Sequence, residues 1–491
     1  MKFKKAVTLP PFCCIKAGNA RGSGRKGREI MNYTQAMEAL EETKKYGSQL
    51  GLDSIRRLMA LLGNVQEQIP VVHIGGTNGK GSVGAMISQV LVTAGYRVGR
   101  FATPDVFSYE EEFLLDGAPI QQGRLAEIFT TVFAACQKLA AQGYPHPTRF
   151  EVETAAAFLW FYEEACDVAL VEVGMGGATD ATNVIGHPLL CILTSIGMDH
   201  MGFLGDSLED IARVKAGILK HNVPVVTVRQ QPAVWEVIRQ RAKQCQAPCV
   251  TAKESQAQGL TCSDGMFQFY WRLPQEDYLS EMQKGRDVSS EAVQEDANYA
   301  RILLGLRGRF QVENALCALS ALRILRHSFP NVTKTAIEKG MRKAYWPGRF
   351  EKIADAPEVY LDGAHNEDAV RKLKKTVDSF FTERKILYIM GVLADKDYDQ
   401  MIRIMFRPGD RVFTVTPSNN PRAFSGEELA RKVACCGAEA SVCDNAADAV
   451  RRALKEAKKE DVILAFGSLS YLREIRHACE AVLENGEKNI P

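Results

Sequence analysis

What the chain lacks narrows its function first. None of its apolar runs approaches the ~18 uncharged residues that a membrane-crossing helix needs, so no membrane partner is expected. The net charge of +2 hides an uneven distribution: residues 1–30 carry eight Lys/Arg against the single acid Glu29, a local +7 that leaves the remaining chain at −5. A weakly acidic body argues against a nucleic-acid partner. The thirteen cysteines are scattered and odd in number. Cys245 and Cys249 have no second pair at zinc-site spacing, and Cys166, Cys191 and Cys317 lie inside apolar runs as small hydrophobes. That usage fits a reducing, cytoplasmic location better than a disulfide framework. There is no internal repeat or heptad run, and no Asn-Lys-x-Asp motif of a guanine-nucleotide switch. The basic, glycine-rich first thirty residues have neither the apolar core of a secretion signal nor an Arg-rich amphipathic helix. We expect a disordered extension there, with the folded protein opening at Met31.

What is present centres on His73-Ile74-Gly75-Gly76-Thr77-Asn78-Gly79-Lys80-Gly81-Ser82. Ile69 to Val72 before it is short and β-branched, a buried strand; Val83 to Ala94 after it has helical apolar spacing. Strand, glycine-rich turn and helix in that order form an anion cradle, in which backbone N–H groups and the helix N-terminus face a phosphate and Lys80 adds a point charge. The strict P-loop spacing fails. Ile74 stands where the first glycine belongs and Gly81 where the magnesium-binding hydroxyl belongs, so a metal ion must find ligands elsewhere.

At 491 residues the chain is long enough for two or three domains. A strand at 167–173 ends in Glu172, and another at 189–196 leads to Asp199 and His200. Strand ends of this kind are where parallel α/β sheets place their ligands. Tyr33 to Leu62 reads as helical, Ile211 to Lys220 as a helix carrying Lys215, and 274–297 as an exposed insertion. After the linker-like 345–351, strands at 358–361, 385–390, 410–415 and 461–466 alternate with helices. The expected fold is α/β: a P-loop-type central sheet domain over 31–343, then a smaller doubly wound, Rossmann-like C-terminal α/β domain over 344–491.

With these motifs in view, the chain resembles the folylpolyglutamate synthase and dihydrofolate synthase family of the Mur ligase superfamily. The likeness runs from about Tyr33 to beyond Tyr471. It continues from the phosphate loop through Glu172-Val173-Gly174-Met175-Gly176-Gly177, Thr194 to His200, Lys215-Ala216-Gly217-Ile218, Pro347 to Glu351, Leu361 to Asn366 and Gly467 to Tyr471. Such enzymes phosphorylate a carboxylate with ATP and let an amine displace phosphate from the acyl phosphate. The resemblance implies an ATP-dependent ligase joining L-glutamate to a folate, with dihydropteroate as a further acceptor; a monomer is expected. It assigns the triphosphate to Thr77, Asn78, Gly79 and Lys80, and further nucleotide contacts to Asn314, Arg349 and Asp362. It gives one Mg²⁺ to Thr103, Glu172 and His200, and a second to a carbamylated Lys215. Lys80, Lys215 and His200 become the catalytic set.

Two departures from the family pattern fall on the acceptor side. Ser-Pro-His-Leu reads Thr103-Pro104-Asp105-Val106, and Gly-Gly-Arg-Leu-Asp reads Gly176-Gly177-Ala178-Thr179-Asp180. A ligase of the same superfamily with another carboxylate acceptor is therefore the competing reading. A nucleotide-driven switch would lack the glutamate-dependent release of ADP and phosphate.

Overall fold

The computed structural model describes residues 30–47, 51–198, 204–263, 265–273, 298–418 and 420–487, with side chains to residue 482. His200, the 1–29 part of the basic extension and the 274–297 insertion lie outside the described residues.

Three sheets carry the chain. The first has eight strands: β1 (Val71–Gly75), β2 (Val98–Phe101), β3 (Phe113–Leu115), β4 (Ala118–Pro119), β5 (Val168–Glu172), β6 (Leu190–Leu193), β7 (Val225–Thr227) and β8 (Cys249–Thr251). Their spatial order is β4-β3-β2-β5-β1-β6-β7-β8. The six strands from β2 to β8 pair in parallel, and the β3–β4 hairpin runs antiparallel at the edge. Continuous apolar runs such as Val168 to Val171 are what a sheet covered on both faces requires. Two clusters do the covering, one around Met86, Leu319 and Trp271, the other around Phe129, Phe158 and Phe161. Because β1 is central, with β5 on one side and β6 on the other, its carboxyl end opens into a crevice at the point where the strand order reverses.

A three-stranded antiparallel sheet follows, β9 (Gln258–Ser263), β10 (Met266–Arg272) and β11 (Tyr299–Leu303), in which Phe267, Phe269 and Trp271 alternate inward. The third sheet has the order β12-β13-β17-β14-β15-β16, from β12 (Glu351–Asp355), β13 (Glu358–Leu361), β14 (Ile386–Met390), β15 (Arg411–Thr414), β16 (Glu439–Val442) and β17 (Val462–Phe466). It is parallel except for β12, and buried on both faces.

Several local expectations differ. The helical pattern over Tyr33–Leu62 is two helices, Tyr33–Glu42 and Asp53–Leu61, with a 3₁₀ turn at Thr43–Tyr46 that stops at Gly47, φ +63°. One continuous helix over this stretch would need Gly47 and Gly51 inside it, and glycine is a poor interior residue. The phosphate-loop helix starts at Lys80, three residues before Val83, because Gly79 in the left-handed region (φ +97°) already ends the turn. The helix bearing Lys215 is Leu208–Lys215, capped by Ser207 and followed by a single 3₁₀ turn. The supposed linker 345–351 delivers Glu351 into β12.

Candidate active site

The carboxyl ends of the first and third sheets face each other across a cleft of about 790 Å³. One wall holds Gly76 to Ser82, Thr103, Glu172 and Lys215; the other holds Arg349, Asp362, His365 and Ser468, with Asn314 at one side. All the described candidate residues therefore meet in one place.

The phosphate loop is held by its neighbours. Thr77 and Asn78 donate their backbone N–H groups to Ser195 O at 2.8 and 3.1 Å, and the Thr77 hydroxyl both donates to Gly197 O and accepts from Gly197 N at 3.1 Å. Gly76 (φ +137°) has no room for a Cβ, which would overlap the Thr194 hydroxyl. A Cβ on Gly79 would meet Asn314 Oδ1 at 2.5 Å. The two amides expected for a phosphate are thus spent on Ser195. The donors left facing the cleft are those of the first helical turn from Lys80, which have no acceptor within the helix.

Lys80 folds back over this loop, donating to Gly76 O and Thr77 O at 3.3 Å, with Nζ 3.7 Å from Glu172 Oε1. Glu172 ends β5 in the register Ile74↔Glu172, which sets it beside the root of the loop. Burial pushes its carboxyl up, opposed by Lys80, Arg100 and Arg349. Lys215 is only 4% exposed, and its ammonium donates to Gly76 O at 3.1 Å. Two lysines from separate elements thus converge on one carbonyl of the loop.

Across the cleft, Asp362 follows β13 and accepts from Phe350 N and Ala364 N, both at 2.8 Å. Burial lifts it from 3.8 to about 6, against the pull of Arg349 and these amides. Burial also lowers the Arg349 guanidinium, which Asp362 and Glu172 support. Asn314 donates to Gln311 Oε1 at 2.9 Å, and Gln311 in turn donates to the Ser82 hydroxyl at 3.2 Å, so the late serine of the loop is held by protein.

A divalent ion fits the donor chemistry only in part. Thr103 and Glu172 supply oxygens to the same cleft, while no group of three or more His, Cys, Asp or Glu suited to a metal occurs among the described residues. Magnesium with one protein carboxylate and phosphate oxygens completing its shell is consistent with that set.

Sequence reasoning missed an interdomain clasp. Asn78 Nδ2 donates to Asn366 Oδ1 (3.2 Å) and Asp368 Oδ2 (3.0 Å), and Asn366 returns a bond to Asn78 Oδ1. Lys372 reaches Ser195 Oγ at 2.9 Å, Asp368 at 3.1 Å and Glu313 at 3.8 Å. The available signal was Asn366 as the cap of helix Glu367–Phe380, with Asp368 and Lys372 at i,i+4 on one face. Of the two departures, Asp105 lines the cleft and pairs with Arg473 across it at 3.4 Å, whereas Ala178 is exposed beside Gly217 and lines no part of it.

With that geometry established, known proteins give a consistent comparison. The Mur ligase middle domain matches residues 74–322, and the Mur ligase glutamate ligase domain matches 348–469. A dihydrofolate synthase/folylpolyglutamate synthase of Bacillus subtilis is 33% identical over 90% of this chain and 98% of its own length. A folylpolyglutamate synthase of Lacticaseibacillus casei is 32% identical over 80% and 87%. Among solved structures, Mycobacterium tuberculosis folylpolyglutamate synthase complexed with ADP and AMPPCP superposes with a TM-score of 0.77 at 27% identity, covering 92% of this chain and 99% of that one. An E. coli protein in complex with DHPP and ADP gives 0.73 at 26%, covering 93% and 99%.

Proposed function

The chain belongs to the folylpolyglutamate synthase and dihydrofolate synthase family of Mur ligases and is an ATP-dependent carbon–nitrogen ligase of that type, and we propose how its own residues run the reaction. The observation that carries the reading is the single cleft joining Lys80 and Glu172 of one sheet to Arg349 and Asp362 of another. An acceptor carboxylate oxygen attacks the γ-phosphorus of ATP, the bond to the β,γ-bridging oxygen breaks, and ADP leaves. The glutamate nitrogen then attacks the acyl carbon. The C–O bond to phosphate breaks with its electron pair leaving on phosphate, and the nitrogen gives up a proton. Transfer of this kind is mostly positioning and charge neutralisation.

In that scheme Lys80 leaves its two carbonyl acceptors for the β- and γ-phosphates, and the amides from Lys80 onward cradle them. Asn314, Arg349 and Asp362 orient the nucleotide from its flanks, so a complete site needs both sheets. Thr103, Glu172 and His200 would hold Mg²⁺, which would supply neutralisation of the phosphate charge. Lys215 is read as carbamylated: an ammonium repels a divalent ion, whereas a carbamate offers it oxygens. A carbamate on Lys215 would keep one N–H for Gly76 O and offer its oxygens to the cleft that Lys215 lines.

Folate is the acceptor favoured by the relatives' names, with dihydropteroate second; Asp105, where the family carries histidine, motivates trying other carboxylates. No helix among the described residues is long and apolar enough to cross a membrane, and the described cysteines are free, in keeping with a cytoplasmic enzyme. We take it as monomeric, with domains over 31–343 and 344–491. The deciding test measures glutamate-dependent release of ADP and phosphate across tetrahydrofolate, dihydropteroate and unrelated carboxylates. Turnover confined to the pterin-bearing acceptors is expected; turnover with an unrelated acid alone would replace folate.

A further inference from the structure

Arg100 has no part in the chemistry above, yet it is buried, 4% exposed, at the end of β2 beside the phosphate loop. Its Nη2 donates to Gly81 O at 2.5 Å, in the first turn of the loop helix. The guanidinium carbon stands 3.8 Å from the ring centroid of Trp346. Gly81 completes the contact by absence: a Cβ there would overlap the indole nitrogen of Trp346. The P-loop hydroxyl position is a glycine because an indole from the other half of the chain occupies the space.

Trp346 is three residues before Arg349. The intervening Gly348 accepts from Gly363 N at 2.8 Å, and Arg349 Nη1 donates back to Gly348 O at 3.1 Å. The segment is therefore pinned at one end to the phosphate-loop helix and at the other to the loop bearing Asp362. A planar guanidinium suits this task, since it stacks on an aromatic face while donating in its plane; an ammonium cannot do both.

We propose that Arg100 and Trp346 form a clamp that couples occupancy of the phosphate loop to the placement of Arg349, with Arg100 acting as a positioning residue. This rests on the reading that the loop and Arg349 hold the nucleotide. A shift of the first helical turn on phosphate binding moves Gly81 O, hence the guanidinium, hence the indole and the segment that follows it.

The test uses the full-length enzyme with ADP as probe, reading both affinity by calorimetry and the change in tryptophan emission on titration. In the wild type ADP changes the emission, and Trp346→Phe removes that change. Arg100→Met should weaken ADP about tenfold and cut the emission change, Arg100→Lys should restore little, and Gly81→Ala should mimic the loss by expelling the indole. The double variant Arg100→Met/Trp346→Phe should bind ADP no more weakly than the worse single variant. Native ADP affinity in Arg100→Met, or additive losses in the double variant, overturns the clamp. If Arg100→Met does not fold, Arg100→Lys decides alone: wild-type affinity and emission overturn the clamp, and loss of both supports it. Lys80→Ala run alongside separates the two ideas. If it keeps ADP affinity, the nucleotide reading fails; if it loses affinity while the Arg100 variants keep theirs, only the clamp fails.

Discussion

The two walls that the proposed function gives to phosphate and to acceptor rise from the same sheet but are built in opposite ways. On the phosphate wall the backbone does the work: Thr77, Asn78 and Gly76 are tied into the structure by main-chain groups, and the cations Lys80 and Lys215 lie over carbonyls. On the acceptor wall, behind Thr103 and Asp105, side-chain acids are stacked into the interior. Glu112 and Glu153 are both buried with carboxyls pushed up by desolvation, and each is raised further by Asp105; Arg149 alone among the nearby groups pulls both down. Glu112 Oε2 has no hydrogen-bond partner. A cradle held by main-chain bonds and by glycines that leave no room for a Cβ tolerates little change, whereas a wall of side chains can be exchanged without touching it. On the proposed function, the loop wall would carry the reaction type and the side-chain wall the choice of acceptor.

The largest effect should come from removing the phosphate wall's point charge. Lys80→Ala is expected to lower kcat by about a hundredfold to a thousandfold, of the order seen when one electrostatic contact to a transition state is deleted. The melt should also fall, because Glu172, a buried carboxylate, loses the largest of the charges that oppose its burial. Steady-state kinetics with a thermal melt checks both. Turnover within tenfold of wild type would break the comparison outright, since the loop would then be structural.

Lys215→Ala should be nearly as damaging, and its rescue pattern identifies the species. A carbamate replaced by methyl leaves room for a small carboxylic acid, so acetate at high concentration should restore part of the activity. Rescue by methylamine instead would mean that the ammonium itself contacts phosphate. With neither, Lys215 is a packing residue.

How much of this was readable beforehand differs between the walls for the same reason. The strand ending in Glu172 and the loop at Lys80 announce themselves, because a buried parallel strand needs a continuous apolar run and a cradle needs glycines at fixed spacing. The α/β organisation followed from that alternation, and the family likeness rested on motifs in order. Arg100 was not legible. In Val98-Gly99-Arg100-Phe101 an arginine reads as the solvent side of a strand, and only the indole of Trp346, distant in sequence, makes it interior. The clasp of Asn78 with Asn366 and Asp368 is equally non-local. Ala178 misled in the other direction: a departure from a motif drew attention to a position that faces solvent.

A moderate effect is expected from Asp362, which stands across the cleft at the end of β13 in the third sheet. Its carboxyl titrates near 6 against an ordinary 3.8, a difference of about 3 kcal/mol between its protonation states. A raised carboxyl favours the protonated fold. Its contribution to stability is complete below about pH 4 and is lost as pH rises through about 6. Asp362→Asn should remove that slope from a series of melts between pH 4 and pH 7, and should also abolish an acid limb near pH 6 in the KM for ATP. A slope that survives the substitution belongs to another group.

The smallest effect, and the one that sharpens the comparison most, concerns Asp105. Its carboxylate sits 3.4 Å from Arg473 of the opposite side of the cleft, with the two side chains 34% and 41% exposed. A pair so open to solvent contributes about 0–1 kcal/mol, which is at most about a fivefold change in a binding constant. Asp105→Asn deletes that charge while keeping the backbone N–H that donates to Glu112 Oε1 at 3.3 Å. It also relieves the repulsion that Asp105 exerts on Glu112 and Glu153, so any loss from Arg473 is partly offset within the wall. If the walls are independent, the KM for the acceptor moves two- to fivefold while the KM for ATP and kcat stay within twofold. Ala178→Arg, exposed outside the cleft, should leave all three unchanged and serves as the control. Titrating acceptor at saturating ATP, and ATP at saturating acceptor, separates the two constants. An ATP constant that shifts as far as the acceptor's would show that Asp105 acts through Arg473 on closure of the cleft, and the two walls would then be one device.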